Sequence, residues 1–94
     1  TMTVEHFRGH VGEEFRIHSG DGQPRSVRLI ATLDLPHACR ALRAPFELMF
    51  VEDRENWLPQ GTYTFEHHAL GRMDIFIVPV AHDAQGTRYQ VVFG

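Results

Sequence analysis

Apolar and polar residues alternate with a period of two over most of this chain, the spacing that sends successive side chains to opposite faces of a strand. Residues 13–18 alternate, with Phe15 and Ile17 on one face, and stop at the turn Ser19-Gly20-Asp21-Gly22. Residues 25–35 alternate again, with Val27, Leu29, Ala31, Leu33 and Leu35 on one side and Arg28, Thr32 and Asp34 on the other, until Pro36 ends the run. Residues 46–51 are a third strand, followed by a charged loop over 52–56. Two hairpins follow: 62–68 with 72–80, then Val80 with 88–93 across the turn at 82–86.

Helical composition is confined to two short places. Thr3 is placed to cap a turn through His6 and Phe7, which Gly9 and Gly12 end. Residues 37–44 (HACRALRA), closed by Pro45, read as a single helical turn or an ordered loop. The sum is an all-β domain over 1–94: six antiparallel strands in a meander that closes into a small barrel or sandwich, with a short N-terminal helical turn. Thr1 ahead of Met2 reads as a cloning remnant. The predicted core is Phe15, Ile17, Leu29, Leu33, Leu48, Phe50, Phe65, Ile75, Ile77, Val91 and Phe93.

The fourth and fifth strands also have a predicted register. A three-residue loop, Ala69-Leu70-Gly71 with Gly71 at positive φ, pairs His68 with Arg72. Phe65 then faces Ile75, Tyr63 faces Ile77 and His67 faces Met73, all toward the core. An even-length loop would turn Asp74 inward, at a cost of several kcal/mol unless it is paired.

Residues 75–80 (IFIVPV) then put hydrophobes on both faces of one strand. With Ile75 and Ile77 inward, Phe76, Val78 and Val80 point outward, where Met49 and Val51 of the third strand and Val92 of the last can join them. A strand apolar on both sides needs a cover. The candidates are the N-terminal turn, the 37–45 segment, or another protein chain. These six residues are the predicted partner-binding surface, and Phe76 and Val78 are expected to be covered.

Composition narrows the function classes. All nine basic residues are Arg, against twelve acids, for a net charge of −3. That balance argues against non-specific nucleic-acid binding, which depends on neutralising phosphates. The charge is also dipolar: 22–45 carries four Arg against Asp34, whereas 46–94 carries three Arg against seven acids. No apolar run approaches a membrane span and the N-terminus lacks an apolar leader, so neither membrane insertion nor export is expected. The one cysteine, Cys39, excludes an intramolecular disulfide. A cytoplasmic chain is the expectation.

The string Leu58-Pro59-Gln60-Gly61-Thr62-Tyr63, with Phe65-Glu66-His67, Leu70-Gly71 and Phe76-Ile77-Val78-Pro79-Val80, resembles a family of small bacterial proteins labelled only as a domain of unknown function. His6-Phe7, Val11 to Arg16 and Arg88 to Phe93 extend the resemblance over nearly the whole chain. The resemblance implies an association with phage-type tail-collar-like proteins. It implies no reaction, cofactor or catalytic residue. His68 stands where the family pattern has a proline, so no rigid turn is implied there.

Candidate chemistry is sparse. Seven histidines raise the question of a metal, yet no HExxH, CxxC or HxH spacing occurs. His67 and His68, as strand neighbours, would point to opposite faces. Glu66, His68 and Asp74 on the outer face make a weak carboxylate–imidazole set, with Arg72 opposing a cation there. The same Glu66–Asp74 pair on a convex face is a poor acid/base site. Cys39 lies near His37, Arg40 and Arg43, cations that favour a thiolate, although a half-buried inert thiol is the commoner case. Gly20-Asp21-Gly22 is too short for a phosphate loop. The sequence therefore points to a non-catalytic structural or interaction module without a cofactor, docking on itself or on another bacterial assembly protein. Binding of a divalent ion or small anion is the alternative.

Overall fold

Each alternating segment becomes a strand whose apolar face turns inward, and the strands wrap round those side chains until the first strand meets the fourth. The computed structural model describes residues 4–20, 23–35, 45–53, 57–84 and 86–93. Helix α1 (Val4–Arg8) precedes strands β1 (Glu14–His18), β2 (Arg25–Asp34), β3 (Phe46–Glu52), β4 (Gly61–His67), β5 (Gly71–Asp83) and β6 (Gly86–Phe93). The strands form a closed antiparallel barrel in the order β1-β2-β3-β6-β5-β4. The all-β barrel with a short N-terminal helix is thus the expected fold. Its strand order is more specific than a simple meander. Two three-strand meanders, β1–β3 and β4–β6, are joined by β1 against β4 and by β3 against β6. The β3–β4 connection makes no hairpin; it carries Leu58 into the core, where its N–H donates to the Tyr89 hydroxyl at 2.8 Å.

Nine of the eleven predicted core residues are buried, and β3 shows strict alternation from Phe46 to Glu52. Leu33 is the exception, 54% exposed. The cause is a bulge between Leu29 and Ala31, which leaves Ile30 as an extra residue. Beyond it Thr32, not Leu33, pairs with inward-facing Leu48. Phe93 is half-buried against the core. Phe7 of α1, absent from the expected core, is fully buried and closes one barrel end. Its ring lies 5.9 Å from Phe93, 6.0 Å from Phe46 and 6.5 Å from Phe15.

Gly71 has φ of 77° and the hairpin loop holds three residues, as expected. The loop is shifted by one position, however: His67 pairs with Gly71, so Phe65 faces Met73 and Tyr63 faces Ile75. A displacement of two in the register sum preserves the faces, which is why Ile75 and Ile77 are still buried. Thr3, the 37–44 segment with Cys39, and part of the 52–56 loop lie outside the described residues. No helix of the described residues is long and apolar enough to cross a membrane.

Candidate functional site

The outward face of β3, β6 and β5 collects the six apolar residues singled out above. Register sets Met49 beside Gln90 and Gln90 beside Val78, and Val51 beside Arg88. Glu47 lies beside Val92. Phe76 is 51% exposed, Val80 46% and Val92 55%, while Met49, Val51 and Val78 are half-buried between their neighbours. Among the described residues nothing covers Phe76 to any large extent, and the 37–44 segment, one of the candidate covers, lies outside them. Polar groups on this face are paired with one another: Gln90 Nε2 donates to Glu47 Oε1 at 2.8 Å, and Arg88 meets Asp83 at 3.2 Å. The Arg88–Asp83 pair can be desolvated together, and the Gln90 amide is already satisfied before any partner arrives.

Glu66, His68 and Asp74, the weak alternative metal set on the outer side of β4 and β5, are not gathered round one point. Glu66 pairs with Arg72 across the hairpin, and Asp74 pairs with Thr64, whose hydroxyl donates to it at 2.9 Å. Glu66 Oε1 meets His18 Nε2 at 3.1 Å, and this bond holds the carboxyl below its ordinary value. His68 lies past the end of β4, in the turn, so strand alternation no longer governs it. Its ring accordingly sits 4.3 Å from that of His67 rather than on the opposite face.

A different trio converges instead. His10, Glu13 and His67 are, among the described residues, the one group of three ligand-type side chains gathered closely enough to hold an ion. His10 follows α1, and the chain turns through Gly12 (φ 94°) into β1; Glu13 N donates to His10 O, and Gly12 N to Leu29 O. That turn brings His10 Nδ1 within 2.9 Å of Glu13 Oε1. His67 arrives from the end of β4, its side chain fully buried against the Phe15 ring 4.5 Å away, with Nε2 at 2.7 Å from the same oxygen. Glu13 and His67 of the trio border an open cleft of about 710 Å³. Its sequence signal is the His-x-x-Glu spacing either side of Gly12, which helical or strand periodicity does not pick out.

Hydrogen bonding fixes the chemistry of this trio. His67 Nδ1 accepts from Ala69 N–H at 3.1 Å and Leu70 N–H at 3.2 Å. Its lone pair is therefore on Nδ1, and its proton on Nε2 is donated to Glu13. Two imidazole donors on one carboxylate hold the Glu13 carboxyl below its ordinary value, the His67 bond first and the His10 bond second, against the opposing effect of desolvation. A metal on His67 Nε2 would require the proton to move to Nδ1, facing two backbone donors. As built, the trio is a lock between the α1–β1 turn and the β4–β5 turn rather than a ready ligand set.

At the other barrel end a buried polar group is fully satisfied. Glu52 is completely buried, Arg25 grips it with two nitrogens, and the Tyr89 hydroxyl donates to its Oε1 at 2.8 Å. Burial, together with the Glu52 bond and charge, pushes the Tyr89 phenol up to about 12. Among the described residues no buried side-chain nitrogen or oxygen lacks a partner. With both Glu52 oxygens and the Tyr89 hydroxyl engaged by one another, by Arg25 or by Leu58 N–H, the group reads as structural.

A family described as Domain of unknown function (DUF6916) matches residues 2–93. No curated protein and no solved structure matches the chain.

Proposed function

The chain belongs to the DUF6916 family, and on that premise we propose that it is a non-catalytic interaction module that docks another protein through the outward face of β3, β6 and β5. One observation carries the reading. Three large hydrophobes, Phe76, Val80 and Val92, are about half exposed on a face whose polar residues are already paired with one another. Contiguous exposed apolar surface on a small domain marks a binding site. The setting proposed for it is a bacterial assembly of phage-tail type, with the partner either a second copy or another component.

The competing reading, a divalent-ion binder, rests on the His10–Glu13–His67 trio and not on Glu66, His68 and Asp74. It requires the His67 tautomer to reverse against two backbone donors, which makes it the weaker of the two. Light scattering coupled to gel filtration tests the interaction reading. A dimer or larger species that becomes monomeric in Phe76→Glu, with β-sheet circular dichroism unchanged, supports it. An associated state that Phe76→Glu leaves intact overturns it.

A further inference from the structure

Resting on that reading, we propose that the occupant of this face is a second copy of the chain, related by a two-fold axis passing at Val78, with Phe76 of each copy seated against the Val80 groove of the other. Knob and socket lie on one strand. Phe76 stands out from β5, and four residues further on a bulge between Pro79 and Ala81 leaves Val80 as the extra residue. Trp57, Pro79, Val80, Ala81 and His82 line a groove of about 380 Å³ there, with Trp57 54% exposed and its ring edge-on to His82 at 5.0 Å.

A symmetric interface requires residue i to meet j while j meets i. Two antiparallel copies of β5 crossing at Val78 satisfy this, because Val78 is midway between Phe76 and Val80. Each is about 7 Å from it along the strand, at about 3.4 Å per residue.

The usual obstacle to self-docking is a like charge meeting its own image across the axis. Here the residue paired with Val78 is the neutral Gln90, itself bonded to Glu47, and Arg88 is held by Asp83. A partner of opposite charge has nothing unpaired to read at the centre of the face, whereas an identical apolar surface does.

The contact is made by side chains and not by strand addition. β4 pairs with β5 only as far as Gly61 opposite Ile77, so residues 78–83 of β5 run past the β4 edge. Pro79, which has no N–H, and the bulge at Val80 interrupt the ladder that an added strand would need.

The test uses thiol cross-linking in a Cys39→Ser background. A residue on a two-fold axis faces its own image, so Val78→Cys should be captured as a covalent dimer by a short bifunctional thiol reagent that spans the roughly 10 Å between face-packed sheets, a gap too wide for a direct disulfide. Arg16→Cys, on the far side of the barrel, should not. Trp57→Ala should weaken the dimer by about tenfold or more while the chain still folds, as expected for truncating an interface aromatic. If Phe76→Glu dissociates the dimer but Val78→Cys traps no more than Arg16→Cys, the two-fold at Val78 is overturned and the docking face stands. If Phe76→Glu leaves the dimer intact, the docking face falls as well. A wild type that stays monomeric at its highest soluble concentration overturns the second-copy proposal alone.

Discussion

Arg25 reaches Glu52 with two nitrogens at once, Nε to Oε2 at 2.6 Å and a terminal nitrogen to Oε1 at 2.9 Å. The two side chains belong to β2 and β3, and Tyr89 of β6 completes the set from the next strand round. Replacing Glu52 by Gln removes the charge and leaves a largely buried guanidinium facing a neutral amide. Breaking one side of such a pair costs about 3–5 kcal/mol, which is close to the whole stability of a small domain. Urea denaturation should show the midpoint collapsing. A shift below about 1 kcal/mol would mean that Arg25 finds an equivalent partner.

Tyr89 gives an alkaline signature. Its hydroxyl donates to Glu52 and accepts from Leu58 N–H, and its folded pKa is raised to about 12. The unfolded phenol releases its proton near pH 10. The contribution of this residue is therefore complete below pH 10 and is lost as pH rises toward 12. Tyr89→Phe should flatten that alkaline limb of the melting curve. At neutral pH it should cost about 1–3 kcal/mol for the two partners left unsatisfied.

Glu13 acts at the opposite end of the pH scale. Its folded pKa is depressed, first by the His67 bond and then by the His10 bond. Its contribution is present above the ordinary carboxylate value and disappears as pH falls through the lower folded value. Glu13→Gln should melt below the wild type at pH 7, and the gap should close in strong acid. A gap that persists unchanged to pH 2 would place the effect in packing rather than in charge.

Two glycines separate strain from collision. Gly71 has φ of 77° and open space where a Cβ would go, so Gly71→Ala should cost only the backbone strain, about 1 kcal/mol. At Gly86, φ is 119° and an added Cβ would fall on the Glu52 carbonyl oxygen, which is backbone and cannot rotate away. Gly86→Ala should destabilise far more than Gly71→Ala, with chemical-shift changes running along β3. Equal melting temperatures for the two variants would contradict this seating of β6 on β3.

Zinc should leave the melting temperature unchanged at neutral pH. The His67 lone pair is already taken up by Ala69 and Leu70 N–H, so an ion would have to break both bonds before it could bind. A clear zinc-dependent rise that His10→Ala abolishes would show that the β4–β5 turn yields, and would revive the metal reading.

Much of the barrel could be read from alternation alone, because a period of two reports directly on which side of a sheet a residue faces. Phe15, Leu29, Phe50, Ile75 and Val91 were legible on that ground. Ile30 and Val80 mark where it failed. A bulge adds one residue without any composition signal, and in β2 it turned Leu33 outward. Phe7 was missed because a five-residue helix shows no period, and its burial depends on the barrel end it happens to cover. The outward apolar row could be read, since Phe76 and Val78 interleave with Ile75 and Ile77. His10 and Glu13 could not: they meet His67 only after the β1–β4 seam brings residues more than fifty positions apart together.

That seam and its counterpart, β3 against β6, have a consequence for how the chain can be divided. Each half, β1–β3 and β4–β6, is a local meander, and the halves are held to one another along just two strand pairs. A cut between Asp53 and Trp57 would yield two three-stranded pieces, each with both outer strands unsatisfied. Coexpressed, the pieces should reassemble into one barrel, since each alone has an apolar face and no lid for it. The same division would let two intact chains trade their second halves at high concentration, giving an exchanged dimer that forms slowly. Subunit mixing over hours, against seconds for a surface-docked pair, would tell the two apart.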